Sequence, residues 1–425
     1  MKITISPSVI HGSVKAPPSK SLMQRACAAA LIRKGDTVLH HPGYSADDVT
    51  SLEIIQQLGA RVETRGTTVL ISSKGISPNT DVIGCGESGL ALRMFTSIAA
   101  VSPEPLTITG TGTLLLRPQH FFDVILPKLG VECISDNGYL PIRVRGPLQP
   151  RNIEVDGSMS SQFLTGLLMA YAAAGAKDVT ITVRDLASTP YIALTLQVMA
   201  EMGLAVPIVS DYREFYFPRT SVSSFDTNRI RFNVEGDWSA ASFLLVAGAV
   251  SGHCRVEGLD LFSRQADRTV IQVLMQAGAD IRMFENAVEV SKSTLKPFNI
   301  NATDSPDLFP PLVALAAFCN GTSVIEGADR LVFKESNRAA SLVSEFGKMG
   351  ITVTVLGNTM RVEGGTVHSA SVQAHNDHRI AMACAVAALG GTGDVLLEGA
   401  ESVDKSYPAF WEDMRSLHAA VSLPA

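Results

Sequence analysis

Five times along the chain an amphipathic helical pattern closes on a glycine and passes into an apolar strand. The segments are SLEIIQQLGARVE at Gly59, FFDVILPKLGVECI at Gly130, ALTLQVMAEMGLAV at Gly203, RTVIQVLMQAGADI at Gly278 and ASLVSEFGKMGITV at Gly350. The glycines follow one another at intervals of 71, 73, 75 and 72 residues. Glycine takes the left-handed backbone just past a helix end without steric cost, so each marks a helix terminus. A final helix near Phe410 to His418 has the same register, which makes six units in 425 residues, each too long for a small solenoid repeat. Units of two helices and several short strands bury their apolar faces only in layers, so the class is α/β (α+β). Three units per domain give two similar domains. The opening segment MKITISPSVIHGSV alternates like a strand and is expected to join the C-terminal half. The expected domains are 19–234, and 1–18 with 235–425, the second crossing falling near Asn233-Val234-Glu235. Two crossings suggest a hinge, and a cleft between domains is a usual ligand site.

Each unit holds a second helix whose start is polar: Ser19-Lys20-Ser21, Glu87-Ser88-Gly89, Ser160-Ser161-Gln162, Asp237-Trp238-Ser239, Asp307, and Asn376-Asp377-His378-Arg379. The runs that follow, such as FLTGLLMAYAAAG and IAMACAVAALGG, are apolar nearly all round and must be buried. Ser, Asp and Asn are common N-caps everywhere, and capping alone accounts for them. Capping does not account for the Lys, Arg, Gln and His beside them. The first start is the most suggestive. Pro17-Pro18 fix an extended approach, Ser19 or Ser21 caps, and Lys20, Ser21 and Arg25 surround a helix N-terminus. Free N–H groups, a partial positive charge and two cations suit phosphate or carboxylate. Read alone, the same stretch is also a capped helix with solvated charges.

The net charge of −6 provides no general basic face for nucleic acid or an acidic membrane surface, so any attraction for anions is local. Six cysteines lie far apart without a CxxC pair and read as free thiols of a reducing compartment. No signal-peptide core opens the sequence and no apolar run approaches bilayer length. A cytoplasmic protein, bound to neither nucleic acid nor membrane, is expected. No HExxH, close Cys/His set or Walker A motif is present, so neither metal nor cofactor is expected.

Further polar clusters fall in order. GCGESGLALR places Gly84, Gly86 and Gly89 before Arg93; TGTGTLLLRP carries Arg117; Ser188-Thr189-Pro190-Tyr191 opens a helix. Asp307 sits in DSPDLFPP, where it is a helix cap or a functional carboxylate. Lys334-Glu335-Ser336-Asn337-Arg338 packs two cations and a carboxylate into five residues, with Lys334 and Arg338 at i,i+4 spacing if helical. Lys405 in DKSYPAF closes the set.

Taken together, PSKSLMQR, GESGLALR, Gly110 followed seven residues on by Arg117-Pro118, DGSMSSQF, STPY, VEGDWSAAS, FKESNR, NDHRIAM and DKSYP span nearly the whole chain in order. The chain resembles the 5-enolpyruvylshikimate-3-phosphate synthase family. The resemblance implies two domains of three βαβαββ repeats each, with buried parallel helices and a two-strand hinge, in a monomer. It implies transfer of the enolpyruvyl group of phosphoenolpyruvate to the 5-hydroxyl of shikimate 3-phosphate by addition and elimination, without cofactor. By motif, shikimate 3-phosphate falls to Lys20, Ser21, Arg25, Ser160, Ser161, Gln162, Ser188, Tyr191, Asp307 and Lys334. Phosphoenolpyruvate falls to Lys20, Gly89, Arg117, Gln162, Arg338, Arg379 and Lys405. Asp307 is taken as base toward the 5-hydroxyl and Glu335 as acid at C3, with Lys20 bridging. Three departures stand out: Glu87-Ser88-Gly89-Leu90 where the family commonly has Asn-Ala-Gly-Thr, Arg330 in place of Asn, and Thr113 in place of Arg. The alternatives are a UDP-N-acetylglucosamine enolpyruvyl transferase, which typically has a reactive Cys near Thr113 to Arg117 where this chain has none, and a silent anion-binding repeat protein.

Overall fold

The computed structural model describes residues 1–219, 229–332 and 334–422, so Phe333 of the FKESNR string lies outside the described residues. Six helices are buried over most of their length: α1 (Lys20–Ile32), α2 (Gly89–Ala99), α3 (Ser161–Ala173), α4 (Trp238–Ser251), α5 (Phe309–Ala316) and α6 (His378–Leu389). Five start on a capping side chain. Ser19, Ser88, Ser160, Asp237 and Asp377 accept hydrogen bonds from Leu22, Ala91, Gln162, Ala240 and Arg379 backbone N–H groups. The start of α5 differs: Asp307 lies in a single 3-10 turn, Pro306–Leu308, and no side chain caps the helix.

The strands form six four-stranded sheets among the described residues, each with one parallel and two antiparallel pairings. Val82–Gly84, α2 and Pro105–Thr109 make a βαβ element with Ile83 opposite Ile108; a further helix then leads to the hairpin Glu132–Asp136 and Tyr139–Arg145. Leu140, Ile142 and Val144 of that last strand point inward, at period two. This βαβαββ order recurs in every unit. Three sheets are completed from remote sequence: Lys2–Ser6 joins Val395–Glu398, Ser13–Lys15 joins His253–Glu257, and Arg229–Asn233 joins Gly35–His40.

The five closing glycines all have positive φ, between 69° and 104°. The sixth unit ends the same way on His418, at φ 65°, with Ala419 N–H returning to the Met414 carbonyl. By its contacts the chain divides into two compact units, residues 1–17 with 235–425, and residues 18–234. Each has its own apolar core.

Within unit 18–234, α2 packs on α3 at Gly166, where a Cβ would stand 2.7 Å from the Arg93 carbonyl oxygen and 2.9 Å from Met94 Cα. Both neighbours are backbone, so the helices must part to admit a methyl. Gly166→Ala is expected to lower unfolding free energy by roughly 1–3 kcal/mol, the usual cost of overpacking. Gly347→Ala, in the helix Arg338–Lys348 with open space around it, is expected to leave stability unchanged or raise it by up to about 1 kcal/mol. Urea midpoints at unchanged slope measure both, and a neutral Gly166→Ala would refute the close-packing account.

Candidate active site

In unit 18–234 the N-terminal halves of three helices meet. Arg25, in the second turn of α1, is 1% exposed. Its Nε donates to Thr195 Oγ1 at 2.9 Å, Nη1 to the Ser21 carbonyl at 2.8 Å and Nη2 to the Tyr191 carbonyl at 3.4 Å. Its guanidinium carbon also lies 5.9 Å from the centroid of the Tyr191 ring. Thr195 belongs to the helix Thr189–Glu201, and its hydroxyl meets Thr165 of α3 at 3.0 Å. Ser21, Ser160, Ser161, Ser188 and Tyr191 therefore stand at the N-terminal ends of mutually packed helices. Every partner of Arg25 among the described residues is neutral. Burial, against a small opposing effect of Tyr191, pulls its pKa down to about 10.

A second group lies beside it. Lys20 Nζ pairs with Asp47 at 2.8 Å, in the first turn of the helix Ala46–Gln57, and both side chains are largely buried. Gln24 of α1 accepts a hydrogen bond from Ser88, the cap of α2, at 3.3 Å. Gln162 Oε1 accepts from Arg93 at 3.0 Å, and Arg93 also reaches Gln119 and stacks over Phe163. A Cβ at Gly89 would stand 3.0 Å from Arg117 Nη1 and 3.8 Å from Gln162 Oε1. Gly89, Arg117 and Gln162 are thus neighbours, and Arg117 is steadied by Thr113 Oγ1 at 3.2 Å.

The other unit gathers carboxylates and cations at helix starts. Asp307 Oδ1 accepts from Arg338 at 2.8 Å and from Lys334 at 3.2 Å, while Oδ2 accepts from Arg379 at 3.2 Å. Arg338, fully buried, also holds Glu335 at 2.6 Å and Asp377 at 3.0 and 3.2 Å. The i,i+4 pair expected of Lys334 and Arg338 does not form on a helix, because the helix begins only at Arg338; the two meet through Asp307 instead. Burial works to raise the Asp307 pKa, but Arg379, Lys334 and Arg338 overcome it and hold the carboxyl well below the ordinary range. For Arg338, burial is outweighed by Asp377, Glu335 and Asp307, which raise its pKa. Lys405 is buried at the end of the 3-10 turn Ala400–Lys405, which packs on α6.

Asp47 and Asp377 complete these groups and were not singled out as site residues from sequence. Both occupy first-turn or capping positions, where an acidic residue is ordinary, so nothing local marks them. Gln24, Arg93 and Thr195 also contribute through contacts between distant helices.

The architecture is that of known enolpyruvyl transferases. An EPSP synthase from Acinetobacter baumannii aligns with a TM-score of 0.80 at 23% identity, covering 100% of both chains. The enolpyruvyl transferase NikO from Streptomyces tendae aligns with a TM-score of 0.77 at 16% identity, covering 99% of this chain and 98% of that one. Sequence carries the comparison beyond fold. Residues 5–414 match the family EPSP synthase (3-phosphoshikimate 1-carboxyvinyltransferase). A 3-phosphoshikimate 1-carboxyvinyltransferase of Aeropyrum pernix is 34% identical over 421 residues, covering 99% of this chain and 96% of its own. One of Clostridium kluyveri is 35% identical over 423 residues, covering 98% and 97%. The chain belongs to the EPSP synthase family.

Removing the fully buried member of an ion cluster strands its buried partner. Arg338→Met removes the guanidinium that the fully buried Asp377 pairs with and is expected to cost about 3–5 kcal/mol of stability. Lys334→Met, at a partly exposed end of the cluster, is expected to cost about 1 kcal/mol or less. Because the Asp307 pKa is lowered on folding, its contribution is present above the ordinary aspartate pKa of about 3.9 and is lost as pH falls below it. Denaturation at neutral pH and at about pH 3 checks both points: the penalty of Arg338→Met should shrink in acid, and one that does not shrink counts against carboxylate pairing.

Proposed function

We propose that this protein transfers the enolpyruvyl group of phosphoenolpyruvate to the 5-hydroxyl of shikimate 3-phosphate, releasing inorganic phosphate. Family membership supplies the reaction, and Arg25 is the observation that ties it to these side chains. A guanidinium buried among a threonine hydroxyl, two backbone carbonyls and a tyrosine ring has paid its desolvation without a carboxylate in return. An anion bound there recovers that cost.

Ser21 and Arg25 are assigned to the carboxylate side of shikimate 3-phosphate. Ser160, Ser161 and Ser188 are assigned to its phosphate, with Gln162 and Tyr191 beside them, where helix N-termini offer free N–H groups. Asp307 and Lys334 are assigned to its hydroxyls. Phosphoenolpyruvate is assigned Lys20, Gly89, Arg117, Gln162, Arg338, Arg379 and Lys405, guanidinia pairing with its carboxylate and phosphate.

In the addition step the 5-hydroxyl oxygen bonds to C2 as C3 gains a proton and the hydroxyl proton departs. In the elimination step C3 loses a proton and the C2–O bond to phosphate breaks. Asp307 takes the hydroxyl proton, Glu335 serves C3, and Lys20 bridges while its ammonium offsets charge on the phosphate. Three cations make Asp307 a weak base on their own. Anions that draw on Arg338 and Arg379 weaken that hold and raise its basicity, so the base is strengthened by the substrate it serves. Water exclusion protects the ketal phosphate intermediate. No metal or cofactor is assigned a role. The six cysteines are free and all but Cys133 are buried, which suits a reducing cytoplasm, and the protein acts there as a monomer.

Phosphate release from phosphoenolpyruvate, measured with shikimate 3-phosphate or UDP-N-acetylglucosamine as acceptor, tests the reading. Release with only the first is expected. Release with only the second overturns it, and release with neither points to a silent binder. Arg25→Lys cannot reproduce the forked contacts and is expected to raise KM for shikimate 3-phosphate roughly 10–100-fold, with a smaller effect on kcat. Asp47→Asn is expected to lower kcat about tenfold by weakening the Asp47 contact that positions the Lys20 ammonium.

A further inference from the structure

Asp267 is a buried carboxyl that the assigned chemistry leaves unused. It lies in the 3-10 turn Ala266–Thr269, only 1% exposed. Its Oδ2 accepts a hydrogen bond from Ser239, in the first turn of α4. Its Oδ1, equally buried, has no hydrogen-bond partner among the described residues. The charged groups around it are Asp237, the cap of α4; Asp307, in the turn before α5; and Arg379, in the first turn of α6. On its own turn, Arg268 donates to the Leu261 carbonyl at 2.7 Å.

A carboxylate with one oxygen unsolvated and unbonded is a costly species, and two further carboxylates nearby make it costlier. Arg379 is the cation that favours ionisation, but it is already committed to Asp307 at 3.2 Å. We propose that Asp267 is a positioning residue: held as a neutral acid against Ser239, it leaves the charge of Arg379 to Asp307 and to the anionic donor. The inference rests on the assignment of Arg379 to phosphoenolpyruvate made above. Burial, then the charge of Asp307, pushes the Asp267 pKa up to about 7, with Arg379 and the Ser239 hydrogen bond pulling the other way. Ionisation therefore falls within the working range. Once charged, Asp267 draws on the field of Arg379 and opposes the incoming anion, so affinity for the donor falls as pH rises through neutrality.

Asp267→Asn mimics the neutral acid in shape and charge. Its KM for phosphoenolpyruvate is expected to lie within about twofold of wild type at about pH 6, because both side chains are then uncharged. From there to about pH 9 the wild-type KM should rise roughly tenfold relative to the variant, the equivalent of one pKa unit of coupling. Taking the ratio at each pH cancels the titration of the substrate's own phosphate, and the ratio of kcat values should stay flat. Ser239→Ala removes a donor to the ionised form and should move the rise to higher pH. A KM ratio independent of pH overturns the proposal, as does an Asp267→Asn KM raised more than about tenfold at about pH 6, which would mean that the carboxylate itself is needed.

Infrared titration of the unliganded protein reads the same proton without turnover. A protonated-carboxyl band should be lost in Asp267→Asn and should titrate near neutrality in wild type. Asp48, which burial above all pushes up to about 7, contributes a second band that the variant retains. If Asp267→Asn does not fold, an upward shift of one component in Ser239→Ala identifies the band, and no shift overturns the proposal. A wild type that releases no phosphate refutes the proposed reaction, whereas a carboxyl already ionised at about pH 6 refutes the role of Asp267 alone.

Discussion

Helix N-termini are where this chain spends its buried charge, and most of its candidate chemistry depends on how each terminus is balanced. A terminus carries unsatisfied N–H groups and about half a positive charge, so an acidic cap is the ordinary remedy. In the unit containing residues 235–425 that remedy is taken repeatedly: Asp237 and Asp377 cap α4 and α6, and Asp267 and Asp307 occupy the turns before neighbouring helices. Of these, Asp307 and Asp377 take cations of their own, which Lys334, Arg338 and Arg379 supply. In residues 18–234 the caps of the buried helices are serines, which satisfy N–H groups without adding negative charge. Arg25 there is left with neutral partners. One unit is thus internally neutralised around a carboxylate, while the other keeps a buried cation in want of an anion.

The repeat was legible because it is written in local rules. A glycine is required where the chain turns left-handed after a helix, and five of the six units provide it. The sixth uses His418 at the same backbone conformation, so its helix was visible only through its register. Capping residues were legible for the same local reason, but Asp307 was not a cap: the turn Pro306–Leu308 frees its carboxylate to face three cations. Pairings between distant residues left no local trace. Asp47 is joined to Lys20 across 27 positions, and Asp377 to Arg338 across 39. The same limit applies to the sheet completed by residues 229–233, which pair with a strand nearly two hundred positions earlier.

Alanine-rich buried helices have a physical consequence for these pairings. Small side chains bring helix axes close, and a glycine such as Gly166 brings them closer still, onto backbone atoms. Short side chains at the ends of such helices then meet directly. Thr165 and Thr195 touch at 3.0 Å and hand a hydroxyl oxygen to Arg25. Larger core residues would separate these ends and leave the guanidinium without its neutral cradle. Core composition and the geometry of the neutral cradle around Arg25 are therefore one constraint.

The departures from the family's common residues fit the same reasoning. Leu90, where a threonine is common, is 7% exposed in the first turn of α2 and belongs to the apolar core of its unit, so packing absorbs the lost hydroxyl. Glu87 lies against Gly112, whose φ is +55°; any Cβ there would collide with the Glu87 carboxylate. Gly112 opens the 3-10 turn Gly112–Leu116 that leads directly into Arg117, and Thr113 of that turn holds the arginine at 3.2 Å. A carboxylate at 87 is thus sterically tied to the backbone that sets the position of Arg117.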